Sequence, residues 1–144
     1  MSSPFRMSEA ASLALHAATF LAADSGRPSR PVAAREIAAA LGASGAHLSK
    51  VLQRLAKAGL VTSTRGPAGG FRLARPASKI TLLEVYEAIE GDLDAPDCLF
   101  GRAVCAGRGC ICGDLLSEVH DRTRRRLAGT RLSELGHVFA GRAS

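Results

Sequence analysis

The stretch TRGPAGGFRLARP, residues 64–76, constrains the fold more than any other part of the chain. Gly66, Gly69 and Gly70 surround Pro67 in a segment suited to a tight reversal with positive φ. Phe71-Arg72-Leu73-Ala74-Arg75 then puts Phe71 and Leu73 on one strand face and Arg72 on the other. The segment before the turn, residues 60–64, is β-prone. It follows a helix-like run, HLSKVLQRLAKAGL, in which Leu48, Val51, Leu52 and Leu55 keep helical spacing. Ser44 is placed to cap that helix and Gly59 to stop it.

A second short helix, about 33–41, carries Ile37 and Leu41 inward and ends at Gly42. Two short helices joined by a glycine turn and followed by a β-hairpin predict a winged helix-turn-helix. The expected fold is mainly α with a small β-hairpin wing and a long C-terminal helix. Ser8 caps a first amphipathic helix running to about residue 23. Its Leu13, Ala17, Phe20 and Leu21 fall at i, i+4, i+7 and i+8, which argues against a signal peptide there. Residues 24–31 read as a loop. Thr81 and Glu84 spell a capping box, with Ile80 and Val85 at staple positions, and Gly91 stops that helix. From Asp114 a long helix begins, with Leu115, Leu116, Val119, Thr123 and Leu127 on one stripe. A last short element starts near Thr130.

The net charge of +6 is unevenly spread. Residues 30–75 hold eight Lys/Arg against the single acid Glu36, while the remainder is close to neutral. A basic block on the reader unit points to double-stranded DNA as partner. The bland alternative is a solvated basic face, or a winged helix used as a protein-interaction module. No apolar run is long enough to span a membrane. No carboxylate pair, catalytic triad or nucleotide motif suggests an enzyme. The glycine turn lacks the Lys-Ser/Thr and βαβ context of a phosphate loop. With no export signal, a reducing cytoplasm is expected, where four cysteines mean metal or redox chemistry rather than a disulfide framework.

At the level of motifs the chain resembles the IscR/NsrR/RirA-type bacterial winged-helix regulators, most of which are iron–sulfur sensors. The resemblance runs through MSEAASLALHAATFLA, REIAAALGASGAHLSKVLQRLAKAGLV, TRGPAGGFRLARPASKITLLEVYEAIEG and TRLSEL. It implies a homodimer whose long C-terminal helices cross, a wing arginine in the minor groove and a third helix in the major groove. Arg65 takes the wing-arginine position. Ser44, His47, Ser49 and Lys50 take the first turns of the recognition helix, and Arg54 and Lys57 are expected to meet phosphates. Three parts are expected: 1–91, the DNA-binding domain; 92–113, a cysteine-containing sensor loop; and 114–144, the dimerisation helix and C-terminal tail.

Cys98, Cys105, Cys110 and Cys112 all lie in that loop. Several thiolates in a glycine-rich loop suit an iron–sulfur cluster, either 2Fe–2S or 4Fe–4S. The resemblance makes Cys98, Cys105 and Cys110 the three cysteine ligands and puts Gly113 where many members have a histidine. The fourth ligand is then Cys112 or a group on the first helix, with Glu9, Ser12 and His16 as candidates. Two other readings of the loop stand beside the cluster. One is a metal-free thiol switch, with Arg102 and Arg108 favouring thiolate. The other is structural zinc, weakened by the absence of a CxxC pair.

Overall fold

Helix α1 (Glu9–Asp24) is the hub of the computed structural model, which describes residues 7–24, 30–94, 105 and 109–139. Ser8 begins it, its Oγ accepting the Ala11 N–H at 3.0 Å. The buried residues of α1 are mostly alanines: Ala11, Ala14, Ala17 and Ala18, with Leu21. Leu13 and Phe20, expected to lead the apolar face, are only half-buried at its margin. Small side chains let several elements approach one helix closely, so the centre of the packing falls on the alanine face.

Helix α2 (Ala34–Leu41) buries Ile37 and Ala38 and closes at Gly42, whose φ is +65°. Helix α3 (Gly45–Lys57) follows at once, with Ser44 Oγ accepting the His47 N–H at 3.4 Å. Its Leu48, Val51, Leu52 and Leu55 are buried, as their spacing predicts. The end of α3 is a Schellman motif. Leu60 N–H bonds to Leu55 C=O and Gly59 N–H to Ala56 C=O, both at 3.0 Å, with Gly59 at φ +78°.

Strands β1 (Val61–Thr64) and β2 (Gly70–Leu73) form the wing, with Val61 opposite Leu73 and Thr64 opposite Gly70. Gly69 N–H closes the turn onto Gly66 C=O at 2.9 Å. Glycine is needed at the base of the turn for reasons of space. A Cβ on Gly69 would lie 2.0 Å from the Thr64 carbonyl oxygen, and one on Gly70 2.4 Å from the Val32 carbonyl. That second contact reveals an addition to the expected topology. Val32 exchanges both backbone hydrogen bonds with Phe71 at 2.8 Å, so the residue between the expected loop and α2 supplies a one-residue third strand.

Helix α4 (Leu82–Glu90) starts at the capping box. Thr81 Oγ1 accepts the Glu84 N–H at 3.2 Å, and Glu84 Oε2 accepts the Thr81 N–H at 2.9 Å. Ile80 and Val85, at the staple positions, are fully buried. At the other end of α4, Glu90 accepts a hydrogen bond from the Ser8 hydroxyl.

Helix α5 (Leu115–Gly129) corrects the single stripe expected of it. Leu116, His120 and Leu127 turn into the body, whereas Leu115 is 52% exposed and Val119 and Thr123 line an open groove with Arg122 and Arg126. The apolar positions form one broad band, with 115 and 119 on its outer edge, 116 and 120 on its inner edge, and Thr123 and Leu127 between them, Leu127 touching both the core and the groove. The short C-terminal element is a 3-10 helix, Leu132–Val138. It packs on α1, with Phe139 edge-to-face against Phe20 at 5.6 Å. Backbone bonds from Leu82 to Thr130 and from Leu132 to Ile80 tie it to the start of α4. Leu127 and Leu132 thereby share one core with α1 to α4.

Candidate nucleic-acid interface and cysteine loop

The outer face of α3 follows from its inner one. With Leu48, Val51, Leu52 and Leu55 buried, residues Ala46, Lys50, Gln53 and Lys57 form an exposed row at helical spacing. Arg65 is exposed immediately after β1, at the wing turn. No acidic residue occurs between Glu36 and Glu84, so α3 and the wing contribute no negative charge of their own. Two arginines outside this face are neutralised locally: Arg30 pairs with Glu36 at 3.2 Å and Arg75 with Glu84 at 3.0 Å.

The other expected contacts sit differently. Ser44 serves as the α3 cap. Ser49 is half-buried. His47, also half-buried, lines a groove of about 370 Å³ between α3 and α1, together with Glu9, Ser12 and His16. The three α1 candidates for a fourth cluster ligand therefore face the turn between α2 and α3 of their own chain. His16 Nδ1–H donates to the Ser12 carbonyl at 2.6 Å. Arg54 turns toward α4, its Nη2 donating to the Ile89 carbonyl at 2.5 Å.

Leu93, three residues past α4, is held at both backbone atoms. Its N–H donates to Glu87 Oε2 at 3.0 Å. Its carbonyl accepts from His120 Nε2 at 3.1 Å and Arg124 Nη1 at 3.3 Å, both on α5. His120 is 7% exposed, and its Nδ1 lies 3.1 Å from Asp121 Oδ1. The Leu93 carbonyl, then Asp121, raise the His120 pKa above its ordinary value, against the opposing effects of burial and Arg124. The cysteine loop thus leaves the body from a point fixed by α4 and α5 together.

At the far end of that loop, Cys110 to Gly113 form a tight turn. Gly113 N–H bonds to the Cys110 carbonyl at 2.9 Å, and Leu115 N–H to the Cys112 carbonyl at 3.1 Å. The Cys112 N–H points at Cys110 Sγ, 3.4 Å away. Cys105, Cys110 and Cys112 are half-buried and not in disulfides. Cys98, Arg102 and Arg108 lie outside the described residues. Among the described residues no three Cys, His, Asp or Glu side chains converge on one point. The donor chemistry nevertheless fits an iron–sulfur cluster: thiols on a glycine-rich loop, one already receiving an N–H···S hydrogen bond of the kind that tunes cluster sulfurs.

A family model described as "Rrf2: Iron-dependent Transcriptional regulator" matches residues 7–137. The chain belongs to the Rrf2 family. Among curated relatives, the HTH-type transcriptional regulator IscR of Photorhabdus laumondii is 38% identical over 106 residues, 73% of this chain and 64% of that protein. The IscR of Vibrio atlanticus is also 38% identical, over 61% of its length. The chain therefore spans less than two thirds of these relatives. Among solved structures, CymR of B. subtilis superimposes with a TM-score of 0.77 at 24% identity, covering 93% of this chain and 98% of that one. T. potens IscR gives 0.71 at 22%, covering 97% and 93%. These two similarities establish the fold. The named relatives are transcriptional regulators rather than enzymes.

In this Rrf2 chain, sequence reasoning missed Gln53 on the outer face of α3 and the grip of His120 and Arg124 on Leu93. Gln53 was legible from helical periodicity, since it lies three residues past Lys50 and four before Lys57. The Leu93 contacts join residues far apart in the chain and leave no local pattern. Among the described residues, no helix is long and apolar enough to cross a membrane.

Proposed function

We propose that this Rrf2 protein is a homodimeric, sequence-specific DNA-binding regulator of the cytoplasm whose DNA affinity is switched by an iron–sulfur cluster in the cysteine loop. The observation that carries the DNA reading is the acid-free face formed by Lys50, Gln53, Lys57 and the wing arginine Arg65. Lys50 and Gln53 suit major-groove base edges, Lys57 suits phosphate, and Arg65 suits the minor groove. The outward row of Leu115, Val119 and Thr123 on α5 supports dimerisation through that helix. Cys98, Cys105 and Cys110 would hold the cluster, with the fourth position open between Cys112 and the α1 groups Glu9, Ser12 and His16.

A bound cluster supplies an inorganic core whose state changes with iron supply, oxidant or nitric oxide. The chain's own residues carry that state outward. Cys110 stands five residues before α5, and the loop begins at the Leu93 anchor shared by α4 and α5. Arg54 joins the last turn of α4 to α3. Ordering or releasing the loop therefore bears on both the dimer helix and the recognition helix. A cofactor-free thiol switch is the second reading, favoured by the closeness of Cys110 Sγ to Cys112.

The test is anaerobic purification, an absorption spectrum, iron and sulfide analysis, and binding to DNA selected from a random library at several salt concentrations. The expected result is coloured protein with matching iron and sulfide, and DNA binding that weakens steeply with salt and differs between loaded and stripped protein. Iron-free protein whose affinity still follows oxidant would select the thiol switch. No salt-sensitive DNA binding would select the protein-interaction module.

A further inference from the structure

We propose that Cys110 and Cys112 form an intramolecular disulfide when the loop is exposed to a hydroperoxide, and that this bond withdraws Cys110 from the ligand set. The consequence for the sensor rests on the cluster reading above; the bond itself does not.

The turn brings the two sulfurs together. Gly113 N–H closes the Cys110 carbonyl into a β-turn at 2.9 Å, which places Cys110 and Cys112 at its first and third positions. Cys110 Sγ folds back over this turn to within 3.4 Å of the Cys112 backbone nitrogen. The Cβ of Cys112 is fixed two bonds from that nitrogen, so rotation about one side-chain torsion carries its sulfur toward Cys110. The neighbouring glycines give the backbone room to adjust: Gly109 has φ +114° and Gly113 φ +59°. Among the described residues, chain neighbours apart, nothing lies within 4 Å of where a Cβ would sit on either. Both thiols are half-buried, and Ile111 between them is 85% exposed, so the turn is open to a small oxidant.

The chemistry balances with one equivalent of hydroperoxide. One sulfur attacks the peroxide oxygen, the O–O bond breaks, and a sulfenic acid and an alcohol (water, for hydrogen peroxide) result. The second thiol attacks the sulfenic sulfur, the S–S bond forms, the S–O bond breaks and water leaves. Two thiols are oxidised by two electrons and the peroxide is reduced by two. A ring spanning only Cys-Ile-Cys is small and strained, which makes the disulfide readily reduced and suits a reversible switch.

Trypsin cleavage after Arg108 and Arg122 releases residues 109–122, a peptide with Cys110 and Cys112 as its two cysteines. Full-length protein, stripped of iron, is treated with hydrogen peroxide, alkylated and digested. The expected product is this peptide, lighter by two hydrogens and carrying no alkyl group, converted to the doubly alkylated form by dithiothreitol. Cys105→Ser keeps it; Cys112→Ser abolishes it. Peptide 109–122 cross-linked to the peptide of Cys105 or Cys98, or doubly alkylated after peroxide, overturns the proposal. A second measurement separates it from the cluster reading. Oxidised wild type should fail to rebuild a cluster from iron and sulfide until dithiothreitol is added. The disulfide peptide with no cluster under any condition sinks the cluster reading and leaves the bond standing. A cluster without the disulfide peptide does the reverse.

Discussion

The Arg54 guanidinium on α3 donates to the carbonyl of Ile89 in the last turn of α4, at 2.5 Å. That carbonyl is one of the four a helix leaves without an internal partner, and it lies at the negative end of the helix dipole. An arginine there serves the fold on both counts. It also ties α3 to the C-terminal end of α4. Sequence reasoning assigned Arg54 to a DNA phosphate; its position makes it a strut behind the recognition helix.

Arg54→Ala should therefore lower stability by about 1 kcal/mol, the net value of one charge-assisted hydrogen bond at a partly exposed site. Lys57→Ala, on the exposed row, should leave stability unchanged within about 0.5 kcal/mol. Urea titrations of the two variants separate them. Equal midpoints would remove the strut.

Arg65→Ala should leave the urea midpoint where it is, because the side chain is exposed at the wing turn. DNA binding should weaken by about tenfold or more, and the slope of affinity against salt should fall by about one. Fluorescence anisotropy over a salt series reads both quantities. Unchanged affinity for Arg65→Ala excludes the wing from the interface.

The capping box gives a stability prediction independent of DNA. Thr81→Ala removes the acceptor for the Glu84 N–H and should cost about 1 kcal/mol. Burial works to raise the Glu84 pKa, but the Thr81 N–H and the Arg75 guanidinium together hold it below 4.5. A lowered carboxylate contributes stability above its unfolded pKa and loses it as pH falls through the folded one. The gap between Glu84→Gln and wild type should accordingly narrow in acid. A gap constant from neutrality to about pH 3 would contradict this.

These examples also mark what a sequence makes legible. Thr81 with Glu84, Ser44 ahead of His47, and Gly59 with Leu60 are local arrangements, set within a few residues and readable as such. The wing was legible for the same reason, since Gly69 and Gly70 answer to backbone within one hairpin and its neighbour. Val32 was missed because one residue of strand has no periodicity. The two edges of the α5 band were merged because apolar spacing does not tell which edge meets its own chain. The contacts of Arg54 with Ile89, and of Leu93 with His120, span long chain separations and depend on the packed fold. The cysteines were legible as a group, but the closeness of Cys110 Sγ to Cys112 needed the turn at Gly113.

The last prediction concerns His120. Its Nε2 donates to the Leu93 carbonyl and its Nδ1 faces Asp121, so only the imidazolium, with a proton on each nitrogen, makes both bonds. The other charged groups at this point are Arg124, which shares the carbonyl, and Glu87, which holds the Leu93 N–H. The folded pKa is raised. A raised histidine pKa stabilises the fold fully below the unfolded value, about 6.5, and that stability is lost as pH climbs through the folded value. Wild type should thus lose stability as pH rises above about 6.5, and His120→Gln, which keeps a donor for Leu93 without titrating, should be flatter across that window. Hydrogen exchange at the Leu93 amide should quicken over the same range in wild type. Parallel stability curves for the two proteins would show that the grip on Leu93 does not depend on protonation of His120.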